Sequence, residues 1–200
     1  DLCQKAYYGF SPVRRTVNTL KEFSASKIYL VGGSEKSRSF FTNYFSAIKF
    51  SSFVDNFFLE FWRSHNCFIY KLKGKINTTS LNKIKNSFNA TASKANIPVK
   101  YIILNPVDIV YEGSAFFMDG KYFKSFNKYE ISRLADPQTE SEKLLAASLP
   151  ENFKQQIKNK SGAGTLNIEL PKELVVCVFN GKTDYEGFVA PLIYTVLDDI

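Results

Sequence analysis

The stretch "KIYLVGGSEKSRSFF", residues 27–41, has the pattern of a short buried strand that runs through two glycines into a helix. The apolar run from Ile28 to Val31 is typical of a strand that is covered on both faces. Ser34 follows the glycines, and a serine at this position can cap the first turn of a helix. We therefore predict a strand at 28–31 and a helix that begins after Ser34.

A wide aromatic stripe marks this helix and the segment after it. The stripe has three- and four-residue spacing, as expected for helices that cover a sheet. Its phase changes at 49–52, so we predict two helices or one bent helix. The residues of the stripe are Phe40, Phe41, Tyr44, Phe45, Ile48, Phe53, Val54, Phe57, Phe58, Phe61 and Trp62.

The alternation of strand and helix continues to residue 104. The patterns predict a strand at 67–75, a helix at 81–92 and a strand at 98–104. Such alternation implies right-handed crossovers between parallel strands. We therefore predict an α/β fold, with α+β as the alternative, in which a mostly parallel β-α-β-α-β unit occupies residues 27–104.

An antiparallel, hairpin-containing part is predicted for residues 106–200. The pair Asp119-Gly120 is a strong hairpin signal between strand-like residues 115–118 and 121–124. Polar helices at 128–160, a half-buried strand at 166–170, a central strand at 174–179 and a last strand at 189–197 follow. We predict a single domain over 1–200, with subdomains at 1–105 and 106–200 as a further option.

Composition limits the classes of protein to which the chain can belong. Of its 200 residues 44% are hydrophobic and 16% aromatic, which suits a well-packed globular domain. No apolar run reaches the roughly 20 residues of a membrane span, so no transmembrane segment is expected. The net charge of +7 favours phosphate-rich or otherwise anionic partners.

The cysteines and the single histidine argue against a metal centre. The three cysteines form no CxxC pair, and Cys67 and Cys177 lie in apolar strand-like runs. Reduced thiols in such runs behave as small hydrophobic side chains. We therefore expect a reducing compartment, that is, the cytoplasm, or the host cytoplasm for a viral protein, with no metal site, no catalytic residue set and no cofactor.

The glycine turn resembles a phosphate-binding loop only in part. It lacks the second glycine of GxxxxGK[ST] and does not form GxGxxG, although a helix amino terminus can attract an anion. The alternative to a plain corner is a ligand site, for which Asp184 and Glu186 would supply carboxylates after the predicted central strand. That candidate site consists of Gly32, Gly33, Ser34, Asp184 and Glu186, and a plain corner with a solvated turn is the favoured interpretation.

A second candidate site is the strand "CFIYKLKGK", residues 67–75, in which apolar and basic residues alternate. Its lysines would recur every ~6.6 Å, comparable to the phosphate spacing of a single strand. The competing interpretation is that lysines on an exposed strand prevent edge-to-edge association. The candidate nucleic-acid-binding residues are Lys71, Lys73 and Lys75, together with Arg14 and Arg15 on a predicted helix that starts at Pro12.

Two segments resemble part of a viral protein family. They are "VDIVYEGSAFFMDGKYFKSF" (107–126) and "LPKELVVCVFNGKTDYEG" (170–187). Both are similar to part of the carboxyl-terminal Y region of the large multidomain replicase subunit of coronaviruses, in which a hairpin precedes a strand ending in a similar "VFxGK". The similarity covers under a quarter of the chain and leaves residues 1–104 without a counterpart in the same order. It implies a viral polyprotein origin and does not assign the chain to that family.

Three functions follow from these observations. The first is a non-enzymatic binding or scaffold domain cut from a larger viral or phage polyprotein, because no catalytic residue set is present and the only methionine is Met118. The second is a nucleic-acid-binding domain that uses the lysine-bearing strand. The third is an enzyme acting on a phosphorylated or nucleotide ligand. The expected partners are accordingly other protein domains of the parent chain or complex, or RNA or DNA.

Overall fold

The computed structural model describes residues 2–25, 27–74, 97–113, 120–149, 151–159 and 164–197. Within these ranges the chain forms eight α-helices and six strands. The helices are α1 (Leu2–Gly9), α2 (Ser11–Ser24), α3 (Glu35–Ala47), α4 (Phe50–Ser64), α5 (Lys128–Ala135), α6 (Glu140–Ser148), α7 (Glu151–Asn159) and α8 (Leu192–Leu197). The strands are β1 (Asn66–Gly74), β2 (Ile97–Leu104), β3 (Ile109–Glu112), β4 (Lys121–Phe126), β5 (Leu166–Glu169) and β6 (Val175–Phe179). None of these helices is long and apolar enough to cross a membrane.

The strands form two small antiparallel sheets. One has the order β2-β1-β6 and the other the order β3-β4-β5. Every pairing between these strands is antiparallel, including that of β1 with β2, in which Phe68 lies opposite Leu104. The predicted mostly parallel β-α-β-α-β unit at 27–104 is therefore wrong. Alternation along the chain indicates which segments are strands, but it does not determine the direction in which the chain returns to the sheet.

The predicted strand at 28–31 is also wrong. The segment is irregular, and its side chains face solvent: Tyr29 is 75% exposed and Val31 92% exposed. The two glycines that follow adopt left-handed φ values of +83° and +71°, so the chain does turn at the predicted corner. An apolar run gains stability as a strand only when a sheet offers it neighbours. Here the six strands of the two described sheets all come from other segments.

The helix predictions around the aromatic stripe are confirmed. The hydroxyl of Ser34 accepts a hydrogen bond from the N–H of Ser37 at 3.2 Å and caps α3. The helical conformation is interrupted between α3 and α4 at Lys49, which adopts a left-handed φ of +53°. Rings of the two helices then stack on each other, with Phe45 and Phe50 only 4.5 Å apart between centroids. The break produces two helices that share one aromatic face.

Phe68 joins the two sheets. Its side chain has no exposed surface, and its ring makes edge-on contacts with Tyr122 of β4 at 5.2 Å and with Phe179 of β6 at 5.9 Å. Phe188 approaches the same ring at 6.1 Å. Two helices, α5 and α7, contribute with β5 to a separate apolar cluster. That cluster consists of Ile131, Leu149, Phe153, Ile157, Leu166 and Ile168.

The carboxyl-terminal predictions are confirmed in part. The alternation at 166–169 matches β5, whose residues are buried and exposed in turn. Residues 175–179 form a strand, but β6 lies at the edge of its sheet and β1 at the centre. The predicted strand at 189–197 is wrong, because α8 begins directly after Pro191, a residue that favours the first turn of a helix.

Other predictions for this half of the chain fall partly outside the described residues. Strand β4 is present and pairs with β3. The other strand predicted for the hairpin, residues 115–118, and Asp119 of its turn lie outside the described residues. The predicted helix at 81–92 also lies outside. The single domain over 1–200 stays a prediction.

Candidate functional site

A groove of about 490 Å³ lies along the outer edge of β2. Six consecutive residues of the chain, 100–105, line one wall. Since successive strand residues face opposite sides of a sheet, a groove that contacts all of them lies at the edge of the strand. The opposite wall comes from α1 and α4 and consists of Gln4, Tyr8, Phe53, Asn56, Leu59, Glu60 and Arg63.

Two residues of β2 direct their main-chain groups into this groove. The N–H of Lys71 donates to the carbonyl of Leu174 at 2.7 Å, so the main-chain N–H and C=O groups of Lys71 point away from β2, toward the β6 side of the sheet. Directly opposite residues of an antiparallel pair exchange both hydrogen bonds or neither. Lys71 lies opposite Tyr101, and Ile69 lies opposite Ile103. Tyr101 and Ile103 therefore point their N–H and C=O groups away from β1.

A buried ion pair belongs to the α4 wall of the groove. The side chain of Arg63 donates to Oε2 of Glu60, and these side chains are only 12% and 8% exposed. Arg63 also lies over the ring of Tyr7, 5.8 Å from its centroid. Oε1 of Glu60 and Nε of Arg63 are buried without a hydrogen-bond partner in the described part of the chain. The two charges offset each other within the wall.

The rim of the groove carries one cation that this pair does not neutralise. Lys100 is exposed and makes no ion pair with the residues described. Near the end of β2, Nε2 of Gln4 donates to Oδ1 of Asn105 at 2.9 Å and so connects α1 with the strand end. Within the residues described, the groove therefore combines a β2 edge that pairs with no further strand, an apolar wall and a positive rim.

The structure does not bring together the two halves of the predicted ligand site. Residues 27–30 line cavities with Ser51 and Ser52 at the start of α4. The loop that contains Asp184 and Glu186 returns past the other end of α4, where Asn66 holds Val189 through two hydrogen bonds of 2.8 Å. The 15 residues of α4 span about 22 Å.

The individual residues of that site have structural roles or face solvent. Oδ1 of Asp184 accepts the N–H groups of Glu186 and Phe188, at 2.9 and 3.0 Å, and so shapes its own turn. Gly32 and Gly33 form the exposed corner before α3, and Ser34 caps that helix. These positions fit the favoured interpretation of a corner and a turn, while ligand binding there stays a prediction.

The predicted nucleic-acid-binding residues lie on different elements. Lys71 is half-buried on β1, the central strand of its sheet, opposite Tyr101. The side chain of Lys73 and the whole of Lys75 lie outside the described residues. Arg14 and Arg15 are exposed on α2. The exposed row of lysines that the alternation predicts is therefore not supported at Lys71, which is half-buried. Nucleic-acid binding stays a prediction.

The residues beside the start of β1 are buried. Cys67 has no exposed surface, and burial raises the pKa of its thiol to about 12, so the thiol is protonated at neutral pH. His65 ends α4 with a left-handed φ of +59°. Among the residues described, no group of three His, Cys, Asp or Glu side chains could hold a metal ion.

The burial of His65 predicts that the protein loses stability in mild acid. Burial lowers the pKa of its imidazole from the ordinary 6.5, so the unfolded chain binds a proton that the folded chain does not. The free energy of unfolding is therefore expected to fall as the pH drops below about 6.5. Urea denaturation between about pH 7.5 and 5.5 measures this fall, since carboxylates stay ionised there.

The control for this prediction is His65→Asn, because asparagine tolerates a left-handed backbone and does not titrate. The chain has one histidine, so the variant removes every imidazole. Its stability is expected to stay flat over the same pH range. An equal loss of stability in the variant would contradict the assignment to His65.

The sequence reveals part of the groove. A strand at 98–104 was predicted, and Pro98 is itself a signal for an edge strand, because proline cannot donate to a neighbouring strand. The wall formed by Glu60 and Arg63 was missed, because acidic and basic residues three apart on a helix are typical of a solvated face. No protein-family model, curated protein or solved structure gives a significant match to this chain.

Proposed function

We propose that this chain is a non-enzymatic protein-binding domain, and that it binds an extended segment of a partner along β2. The observation that carries the proposal is the direction of the main-chain groups of Tyr101 and Ile103, which face the groove. An extended peptide can add a strand to an exposed sheet edge, with affinity from main-chain hydrogen bonds and specificity from alternate side chains.

The dimensions and walls of the groove support this mode of binding. The five residues of β2 that line the groove, 100–104, span about 17 Å, which fits a partner segment of similar length. Phe53 and Leu59 of α4 supply apolar surface beside the strand. A partner strand would thus gain hydrogen bonds from β2 and burial from α4.

Replacing Ile103 with proline is expected to weaken peptide binding roughly tenfold while the fold is retained. Proline removes the N–H that faces the groove, and edge strands tolerate proline where the N–H points outward. The probes are peptides selected on the wild-type protein from a random 12-residue display library, with affinity measured by fluorescence anisotropy. Ile103→Val is the control, because it keeps the N–H and the branched side chain.

Hydrogen exchange of the four amides at 101–104 checks the geometry independently. The amides of Tyr101 and Ile103 are expected to exchange faster than those of Ile102 and Leu104, and to become protected when a selected peptide saturates the protein. Selection of no peptide, or equal affinity for wild type and Ile103→Pro, would overturn the proposal. Binding of a single-stranded oligonucleotide that Arg14→Glu and Lys71→Glu abolish, without peptide binding, would favour the nucleic-acid alternative.

A further inference from the structure

We infer that the segment bound along β2 belongs to another protein, is apolar along most of its length and carries an acidic residue beside Lys100. This inference rests on the proposed function and specifies the partner that the same groove accepts. It follows from the two faces that a strand added to β2 would present, since successive side chains of that strand point to opposite sides of the sheet.

One face of the added strand meets the apolar wall. Tyr101 and Ile103 face the α4 side of the sheet, where the ring of Tyr101 lies 5.2 Å from the ring of Phe53. Side chains directly opposite each other on neighbouring strands lie about 5 Å apart and contact each other. Partner residues opposite Tyr101 and Ile103 therefore lie close to Phe53 and Leu59, where apolar side chains are favoured.

The other face of the added strand meets a cation at one end and apolar side chains along the rest. Ile102 and Leu104, on the same side of the sheet as Lys100, are half-buried and pack against Tyr70, Leu72 and Val175. Lys100 precedes Tyr101 and points to the opposite side of the sheet, as does Leu72, its partner on β1. The carboxylate of Glu60 in the groove is already neutralised by Arg63. A partner residue beside Lys100 therefore meets an ammonium group that makes no ion pair with the described residues, and an opposite charge across a strand pair is favourable.

Charge also distinguishes another protein from a second copy of this chain. Each copy carries a net charge of +7, which opposes self-association. Two β2 edges paired with each other would bring the Lys100 residues of both copies to the same small sheet, and Pro98 would leave a gap in the ladder on each side. A segment of another protein that carries an acidic residue meets neither obstacle.

Three synthetic peptides test this inference. The first is an eight-residue peptide that has one Glu among apolar residues, the second has Lys in place of that Glu, and the third is the Glu peptide with alternate residues N-methylated. The Glu peptide is expected to bind the wild-type protein roughly fivefold more tightly than the Lys peptide. The N-methylated peptide is expected to lose binding, since it cannot complete the ladder on the side that carries the methyl groups.

Lys100→Glu is expected to reverse the order of the two charged peptides. Lys143→Glu, an exposed lysine on α6, is the matched control and should leave the order unchanged. A Glu peptide that binds Lys100→Glu as tightly as wild type, yet is lost on Ile103→Pro, would overturn the acidic preference and leave the proposed function intact. Peptide binding that is insensitive to Ile103→Pro would overturn both. A dimer in sedimentation that Ile103→Pro dissociates would assign the edge to a second copy instead.

Discussion

Replacing Phe68 with alanine is expected to lower the free energy of unfolding by about 3 to 5 kcal/mol. The ring is completely buried and lies between β4 and β6, so its removal leaves a cavity between the two sheets. Rings of Tyr122, Phe179 and Phe188 surround it, and these bulky side chains belong to three separate segments that cannot collapse together into the space. Urea denaturation followed by circular dichroism measures the change.

The matched control is Phe23→Ala on α2, because the side chain of Phe23 is 82% exposed. Its loss is expected to change the free energy of unfolding by no more than about 0.5 kcal/mol. A loss below about 1 kcal/mol for Phe68→Ala would contradict the junction between the sheets, since a solvated ring costs little to remove. Two separate unfolding transitions in the wild type would contradict it as well, because a shared ring couples the sheets.

The sequence predicts the elements of this fold better than their arrangement. The apolar runs of β1, β2 and β6 were all identified, because burial on one or both faces leaves a local pattern. Strand direction and neighbour depend on contacts between distant residues, such as Phe68 with Leu104, and no local pattern specifies these. The exposed run at 28–31 has the composition of a strand and lacks a place in either described sheet.

The groove illustrates the same limit at the level of single residues. Pro98 marks β2 as an edge strand, so the presence of an open edge could be predicted. The outward direction of the Tyr101 and Ile103 main chains follows only from their register with β1, which the structure supplies. The binding mode proposed for β2 is thus a consequence of tertiary pairing rather than of a sequence motif.

Replacing Arg63 with methionine is expected to lower the free energy of unfolding by about 3 to 5 kcal/mol. Methionine keeps much of the aliphatic volume but leaves the carboxylate of Glu60 buried without its cation. A buried charge that has lost its partner retains its full desolvation cost, whereas an exposed pair contributes less than about 1 kcal/mol. Arg14→Met on α2 is the surface control, and its effect is expected to stay within about 0.5 kcal/mol.

The double variant Glu60→Leu with Arg63→Met separates the loss of charge balance from the loss of packing. Removing both charges abolishes their desolvation cost, so the double variant is expected to recover most of the stability lost in Arg63→Met. The effects of the two single substitutions on the free energy of unfolding are therefore expected to be far from additive. Additive losses would mean that Arg63 stabilises the fold chiefly through its contact with the ring of Tyr7. Because the two charges of this pair, which lies in the wall of the groove beside β2, offset each other, Lys100 is the charge that a partner meets.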